Sequence, residues 1–118
     1  MAFSKALIVD DSKLARVTLK KKLESFGLQV IAADGAIEAY ELLASDQPDI
    51  VFMDHLMPEA DGFDATLHLR QNGCTTPIIM CTGKEHEGYL AEALAVGANY
   101  ILGKPPGDED LANVLAMQ

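Results

Sequence analysis

Five short apolar runs, separated by longer segments with helical spacing, constrain the fold of this chain more than any other feature of its sequence. The runs are rich in β-branched residues and fall at 6–9, 29–33, 50–53, 78–81 and 100–102. Runs of this length without polar alternation are typical of strands that are buried on both faces. The sequence therefore predicts five interior strands.

The segments between these runs have the spacing of amphipathic helices. Ala15, Leu19, Leu23 and Phe26 form one apolar stripe, and Gly27 then ends the predicted helix. Four further helices are predicted at 36–44, 63–70, 87–96 and 108–117. Strands that are joined by helical crossovers run parallel, and the helices cover both faces of the sheet. We therefore predict an α/β fold with a doubly wound, five-stranded parallel sheet.

Length and charge limit the domain count and the partners. A chain of 118 residues with 49% hydrophobic residues can build one core, so we predict a single domain over residues 1–118. A net charge of −9 disfavours direct binding to nucleic acid or to an anionic membrane. No segment resembles a signal peptide or reaches the roughly 18 apolar residues of a membrane span, so we expect a cytoplasmic protein. Cys74 and Cys81 lack the spacing of a zinc site, and we expect both to be inert.

Polar side chains follow four of the predicted strands. In a doubly wound sheet, the carboxyl ends of the strands form the edge where ligands bind. The residues at these ends are three acids, a hydroxyl and an amine: Asp10, Asp11, Asp54, Thr82 and Lys104. Clustered carboxylates repel one another unless a cation lies among them, and hard oxygen ligands suit Mg²⁺. A carboxylate in such a site can act as the nucleophile of a phosphoryl transfer, which needs little beyond alignment and charge neutralisation.

The joint order of these motifs resembles the receiver domain of two-component response regulators. The motifs are Asp10/Asp11, Asp54 with Met57/Pro58 and Asp61/Gly62, Thr82/Gly83, and Lys104/Pro105. Any one of them would be weak evidence, but together they cover essentially the whole chain. The resemblance implies a CheY-like (flavodoxin-like) (βα)5 fold with strand order 2-1-3-4-5.

The resemblance also implies a reaction and a metal site. Asp54 would accept a phosphoryl group from the phosphohistidine of a sensor histidine kinase or a histidine phosphotransfer protein. Asp54 would also lie at a Mg²⁺ site, where Asp11 binds the ion directly and Asp10 largely through water. The backbone carbonyl of Leu56 would complete the protein ligands. The domain would gain and lose its phosphoryl group without being a turnover enzyme.

Further implications concern the response to phosphorylation. Lys104 would pair with the acyl phosphate, its bond to Pro105 would be cis, and the Thr82 hydroxyl would move to hydrogen-bond the phosphoryl group. The added charge would change the surface formed by the fourth helix, fifth strand and fifth helix. That surface would act on an output domain or an effector protein, and it is a candidate surface for a homodimer.

Two positions, Ile101 and Pro106, depart from the family pattern, and two others fall where the family itself varies. Ile101 stands where receivers commonly have an aromatic residue, and Tyr100 comes one position earlier, where strand alternation puts it on the other face. The coupling between Thr82 and an aromatic ring is therefore in question. Leu56 and Lys84 occupy the variable positions that tune phosphoryl lifetime, and since Leu56 cannot orient a water we expect slow autodephosphorylation. Pro106 replaces the phenylalanine that often follows the Lys/Pro pair.

Other interpretations are weaker. An aspartate-nucleophile phosphatase would have a second aspartate where this chain has Leu56, and it would need a cap insertion. The glycine spacing before Lys104 does not fit a phosphate-binding loop. His55, His68 and His86 lack the spacing of a metal site. A phosphorylation-independent receiver that acts as an interaction module stays open as the alternative.

The first helix contains a candidate docking edge. Lys13, Leu14 and Val17 lie on it beside the predicted site. Receivers meet their phosphohistidine donor on this helix, so we expect these residues to contact the donor protein.

Overall fold

The computed structural model describes residues 3–83 and 86–117, and it contains one five-stranded parallel sheet. The strands are β1 Lys5–Val9, β2 Gln29–Ala33, β3 Ile50–Asp54, β4 Ile78–Thr82 and β5 Tyr100–Gly103. Their order is β2-β1-β3-β4-β5, and every neighbouring pair is parallel. The predicted fold class and strand order are confirmed.

The helices are α1 Lys13–Ser25, α2 Ala36–Asp46, α3 Gly62–Gln71, α4 Leu90–Ala95 and α5 Asp108–Leu115. The prediction of one helix over 87–96 was wrong at its start. A 3₁₀ turn over His86–Tyr89 comes first, and α4 follows with six residues. Gly88 lies in this turn, and glycine is a poor helix former, which agrees with the late start of α4.

Two layers of apolar side chains hold the helices on the sheet. Leu19 and Leu23 of α1 and Leu111 of α5 pack on one face of the sheet. On the other face, α2, α3 and α4 contribute a second cluster that includes Phe63 and Ala93. Alternate residues of each strand serve the two layers, because side chains of a strand point to opposite faces. The helices therefore cover both faces, and the sheet edges that carry loops are left accessible.

Two expectations about burial were wrong: the apolar stripe of α1 is shorter than predicted, and one predicted interior strand is buried only in part. Phe26 lies beyond the last residue of α1 and is 39% exposed, so the buried stripe ends at Leu23. β2 lies at the sheet edge and is buried only in part, unlike β3 and β4, which are buried throughout. An edge strand has a neighbour on one side alone, and an apolar run in the sequence does not reveal this position.

N-cap side chains mark the starts of α1 and α3, at the edge of the sheet where the polar residues lie. The Ser12 hydroxyl accepts a hydrogen bond from the Ala15 N–H at 3.2 Å, and the Asp61 carboxylate accepts one from the Asp64 N–H at 2.9 Å. Such caps satisfy backbone donors that a helix leaves free at its start. They fix where each helix begins relative to the strand before it. No helix in the described part of the chain has the length and apolarity needed to cross a bilayer.

Candidate functional site

Side chains from three strand ends meet at the carboxyl edge of the sheet. Asp10 follows β1, Asp54 ends β3, and Lys104 follows β5. The Lys104 Nζ lies 2.8 Å from Asp10 Oδ2 and 3.0 Å from Asp54 Oδ1. The structure thus brings together the acids and the amine that the sequence placed far apart.

Asp11 joins this group as a third acid. One carboxylate oxygen from each of Asp10, Asp11 and Asp54 lies within 4.8 Å of the others, with Asp11 exposed and the other two buried. Asp10 is held in place, since its Oδ1 accepts from the Ser12 N–H at 2.9 Å. Three close carboxylates that can be reached from solvent on one side form a donor set that fits a hard divalent cation. The cluster could therefore hold a metal ion.

The electrostatics of the site follow from its crowding. Burial raises the pKa of Asp54 to about 6, the hydrogen bond from Lys104 opposes the rise, and the nearby Asp10 charge adds to it. Burial lowers the pKa of Lys104, but its hydrogen bonds to Asp10 and Asp54 outweigh this effect and leave the pKa raised. The ammonium is therefore charged at neutral pH. With one ammonium among three acids, the site retains an affinity for additional positive charge.

Thr82 ends β4 and lies at the same edge. Its side chain is among the most buried polar groups, at 1% exposure, and its Oγ1 finds no hydrogen-bond partner among the described residues. Leaving a buried hydroxyl without a partner costs about 1–3 kcal/mol. An acceptor that enters the site would remove this cost.

The loop after β3 is packed closely against the strand. Gly62 begins α3, and a Cβ at this position would overlap the backbone carbonyl of Asp54 and lie 2.7 Å from Met80 Cε. Glycine is thus required for α3 to start this close to Asp54. Leu56, in the same loop, has a side chain that is 72% exposed, which leaves its backbone as the part available to the site.

Several predicted details can be located. The Lys104–Pro105 bond is cis, as expected. Ile101 is buried and Tyr100 is 40% exposed, so the two residues do face opposite sides. Burial raises the pKa of the Cys81 thiol to about 12, which agrees with an inert cysteine. Lys84, expected to tune phosphoryl lifetime, lies outside the described residues.

An aromatic cluster beside the site was not predicted. The His55 ring lies 4.4 Å from the Phe63 ring and 5.0 Å from the Tyr89 ring, measured between centroids. His55 directly follows Asp54, whereas Tyr89 lies just before α4. The only available signal was the adjacency of His55 and Asp54, because nothing in the spacing links Tyr89 to either residue.

A cavity adjoins the site on the α1 side. It measures about 250 Å³ and lies between α1 and the segment that follows β5, with Leu14, Thr18 and Pro106 in its wall. The Lys22 Nζ, which also lines the cavity, donates to the Pro106 carbonyl oxygen at 2.8 Å. Leu14 is 77% exposed at the rim. This surface is mostly apolar, so it suits contact with another protein.

Known proteins show the same fold and related sequences. The chain is similar to the response regulator MprA of Mycobacterium ulcerans (strain Agy99), with 35% identity over 105 residues, 89% of this chain and 45% of that protein. It thus spans less than half the length of this curated relative. The chemotaxis protein CheY4 of Vibrio cholerae has a similar structure, with TM-score 0.87, 32% identity and 98% of each chain covered. The receiver domain of the Francisella response regulator 1452 gives TM-score 0.88 with 27% identity over 97% of this chain and 94% of that one.

The chain also matches a family model. A family model described as response regulator receiver domain matches residues 6–116 and so includes every strand end of the site. The sheet order found here is the one that the resemblance implied. On this combined evidence, the chain belongs to the response regulator receiver domain family.

Proposed function

We propose that this receiver domain accepts a phosphoryl group on Asp54 in a Mg²⁺-dependent reaction and then changes the surface of α4, β5 and α5. Receiver domains of response regulators are signalling domains, and the family implies kinase partners and output domains. One observation carries the proposal. The carboxylates of Asp10, Asp11 and Asp54 lie within 4.8 Å of one another, and Lys104 bonds Asp54 at 3.0 Å.

The proposed reaction needs an ionised Asp54. One of its carboxylate oxygens attacks the phosphorus of a phosphohistidine, the phosphorus–nitrogen bond breaks, and the electron pair returns to the imidazole nitrogen of the donor. Lys104 keeps its proton throughout and stabilises the negative charge that gathers on the phosphoryl oxygens. Alignment and charge neutralisation are the main requirements of such a transfer, and both are available at this edge.

The acidic cluster supports Mg²⁺ as the metal. Asp11 would bind the ion directly, Asp10 would act mainly through water, and Asp54 and the Leu56 carbonyl would complete the protein ligands. The exposure of Asp11 supports this division, because Mg²⁺ keeps several waters and needs an open side. When bound, the ion supplies positive charge to the phosphoryl oxygens.

Thr82 supports a change of conformation after transfer. A phosphoryl group adds acceptor oxygens and about −1.5 to −2 of charge. The Thr82 hydroxyl, which has no partner among the described residues, lies at the same edge and can donate to it. We assign the signalling surface to α4, β5 and α5, where Leu94 and Tyr100 expose apolar side chains. Its partner is an output domain, an effector protein or a second copy of the chain.

The remaining assignments follow the same logic. We assign residues 1–118 to one receiver domain, place this domain in the cytoplasm, and expect its phosphoryl donor to be a sensor histidine kinase or a histidine phosphotransfer protein. The domain gains and loses its phosphoryl group without turning over a substrate of its own.

Intact-mass spectrometry tests the acceptor. The wild-type protein, incubated with acetyl phosphate and Mg²⁺, should gain one phosphoryl mass, and Asp54→Ala should not. Asp34→Ala is the matched control, because Asp34 is an exposed acid that follows β2 at the same edge, and it should gain the mass as the wild type does. Phosphorylation of Asp54→Ala at wild-type yield would contradict the assignment. No uptake by the wild type from any donor would favour the phosphorylation-independent interaction module.

The lifetime of the phosphorylated state tests the role of Leu56. Its side chain offers neither an amide nor a carboxylate to orient an attacking water, so the phosphoprotein should survive for minutes or longer in Mg²⁺. Leu56→Gln should shorten this lifetime several-fold, because the side chain is exposed and an amide there can hold a water. A wild-type lifetime of seconds would refute the expectation.

A further inference from the structure

A change at Asp54 can reach the surface of α4, β5 and α5 only through side chains that contact both regions. Ile101 is packed into the core at 4% exposure and has no ring that could swing. Tyr100 has a ring, but it is exposed on the opposite side of β5. A ring in β5 therefore does not provide the route.

The aromatic cluster of His55, Phe63 and Tyr89 connects the loop after Asp54 with the turn before α4 instead. Phe63 is buried in the first turn of α3, and its ring centroid lies 5.9 Å from that of Tyr89. His55 and Tyr89 are only half-buried and contact each other edge to face. Such pairs contribute about 0.5–1.5 kcal/mol beyond their buried area. The cluster thus joins the residue after Asp54 to the residue before α4.

The backbone of His55 is fixed on two sides. Its N–H donates to the Cys81 carbonyl oxygen at 3.1 Å, and its carbonyl accepts from the Gly62 N–H at 2.6 Å. These bonds tie His55 both to β4, one residue before Thr82, and to the start of α3. A displacement at Asp54 or at the end of β4 therefore reaches the imidazole directly, because no flexible segment lies between them.

We propose that the His55–Phe63–Tyr89 cluster carries the conformational signal from phosphorylated Asp54 to α4 in this chain. The proposal rests on the function proposed above. His55 and Tyr89 are positioning residues in it, with Phe63 as the buried surface against which both rings shift. The cluster can shift the equilibrium between the unphosphorylated and phosphorylated conformations only by the difference in free energy of its ring contacts in the two conformations.

Hydrogen exchange measured by mass spectrometry tests the proposal. The wild-type protein should change its exchange in α4 and β5 after phosphorylation by acetyl phosphate and Mg²⁺. Tyr89→Leu keeps an apolar side chain but loses the ring, and it should reduce this change by more than half. Intact mass should show phosphoryl uptake within twofold of the wild type in the same samples.

Three further variants separate coupling from packing. Tyr89→Phe retains the ring and should restore the wild-type response, and His55→Leu should weaken it as Tyr89→Leu does. Phe26→Leu removes an exposed aromatic side chain that lies outside both the cluster and the signalling surface, and it should leave the response intact. Loss of the response in Phe26→Leu, or its survival in both Tyr89→Leu and His55→Leu, would overturn the proposal while uptake at Asp54 still supports the receiver function. A wild-type protein that takes up no phosphoryl group would overturn both.

Discussion

Polar groups at the amino ends of the strands, here called the amino edge, are satisfied by hydrogen bonds. Those at the carboxyl ends, the carboxyl edge, are satisfied only in part. At the amino ends of β4 and β5, Arg70 donates hydrogen bonds of 2.8–3.0 Å to the carbonyl oxygens of Gly97, Cys74 and Thr76 and to Asn99 Oδ1. Asn99 Oδ1 also accepts from the Ile78 N–H at 2.9 Å. The guanidinium thus uses four of its five N–H donors to hold two loops and the end of α3 together.

The carboxyl edge leaves comparable groups unsatisfied. Three carboxylates lie close together there and Lys104 pairs with two of them, while the Thr82 hydroxyl lacks a partner among the described residues. Both edges are built from loops that follow or precede the same strands. The difference indicates that the amino edge stabilises the fold, while the carboxyl edge keeps interactions available for a cation and a phosphoryl group.

The largest expected effect is at the amino edge. Arg70→Leu should lower the free energy of unfolding by about 3 kcal/mol, because it removes hydrogen bonds from a charged donor and leaves several acceptors without partners. Urea denaturation measures this change. Lys20→Leu is the control for loss of a positive charge on an exposed helix face, and it should stay within about 0.5 kcal/mol. Equal effects of the two variants would remove the contrast between the edges.

Added Mg²⁺ should act at the carboxyl edge. At about one hundred times its dissociation constant, the ion should raise the free energy of unfolding by about 2.7 kcal/mol. Asp11→Ala should lose most of this rise, and Asp34→Ala should keep it. Thermal denaturation with and without Mg²⁺ gives the comparison. A rise that survives in Asp11→Ala would contradict the proposed ligand set.

Changes at the docking edge of α1 should slow phosphoryl transfer from a phosphohistidine protein but not from acetyl phosphate. The double variant Lys13→Glu/Leu14→Ala should slow phosphoryl transfer from a partner phosphohistidine about tenfold, which corresponds to about 1.4 kcal/mol. Its reaction with acetyl phosphate should stay unchanged, because a small donor does not contact α1. Leu67→Ala, on α3, is the control for an exposed leucine on the other face of the sheet. Equal losses with both donors would refute docking on α1.

The smallest expected effect has the opposite sign from that at Arg70. Thr82→Val should raise the free energy of unfolding of the unmodified protein by about 1 kcal/mol, since it replaces a buried hydroxyl that has no partner in the described part of the chain with a methyl group. Thr66→Val is the matched control, because Thr66 is equally buried and its hydroxyl contacts Met80 Sδ at 3.5 Å. That variant should not be stabilised. A loss of stability in Thr82→Val would show that the hydroxyl is satisfied.

The sequence predicts the parts of this molecule that depend on local pattern. Buried strands produce apolar runs, and strand ends in a parallel sheet share an edge, so Asp10, Asp54 and Lys104 could be placed together before any coordinates. The strand order came from the resemblance to receivers. The start of α4 was missed because a 3₁₀ turn of four residues is too short for its spacing to be distinguished from that of an α-helix.

Contacts between distant segments escaped sequence analysis. In the sequence, Arg70 cannot be distinguished from any other charged residue on a helix. Three of its four acceptors are backbone carbonyls, which the pattern of side chains does not reveal. The contact of His55 with Tyr89 depends on how the turn before α4 packs against the loop after β3, which residue spacing does not encode. Sequence thus located the chemistry, whereas the connections that hold or transmit it required the structure.

Lys104, held between Asp10 and Asp54, has a consequence for the resting domain. The ammonium already offsets part of the repulsion between the two buried acids, so it serves as an internal substitute for an external ion. We therefore expect the domain to stay folded without added magnesium. Under the proposed reaction, the ion would be needed for phosphoryl transfer, whereas Lys104 would keep the pair of buried acids stable before transfer.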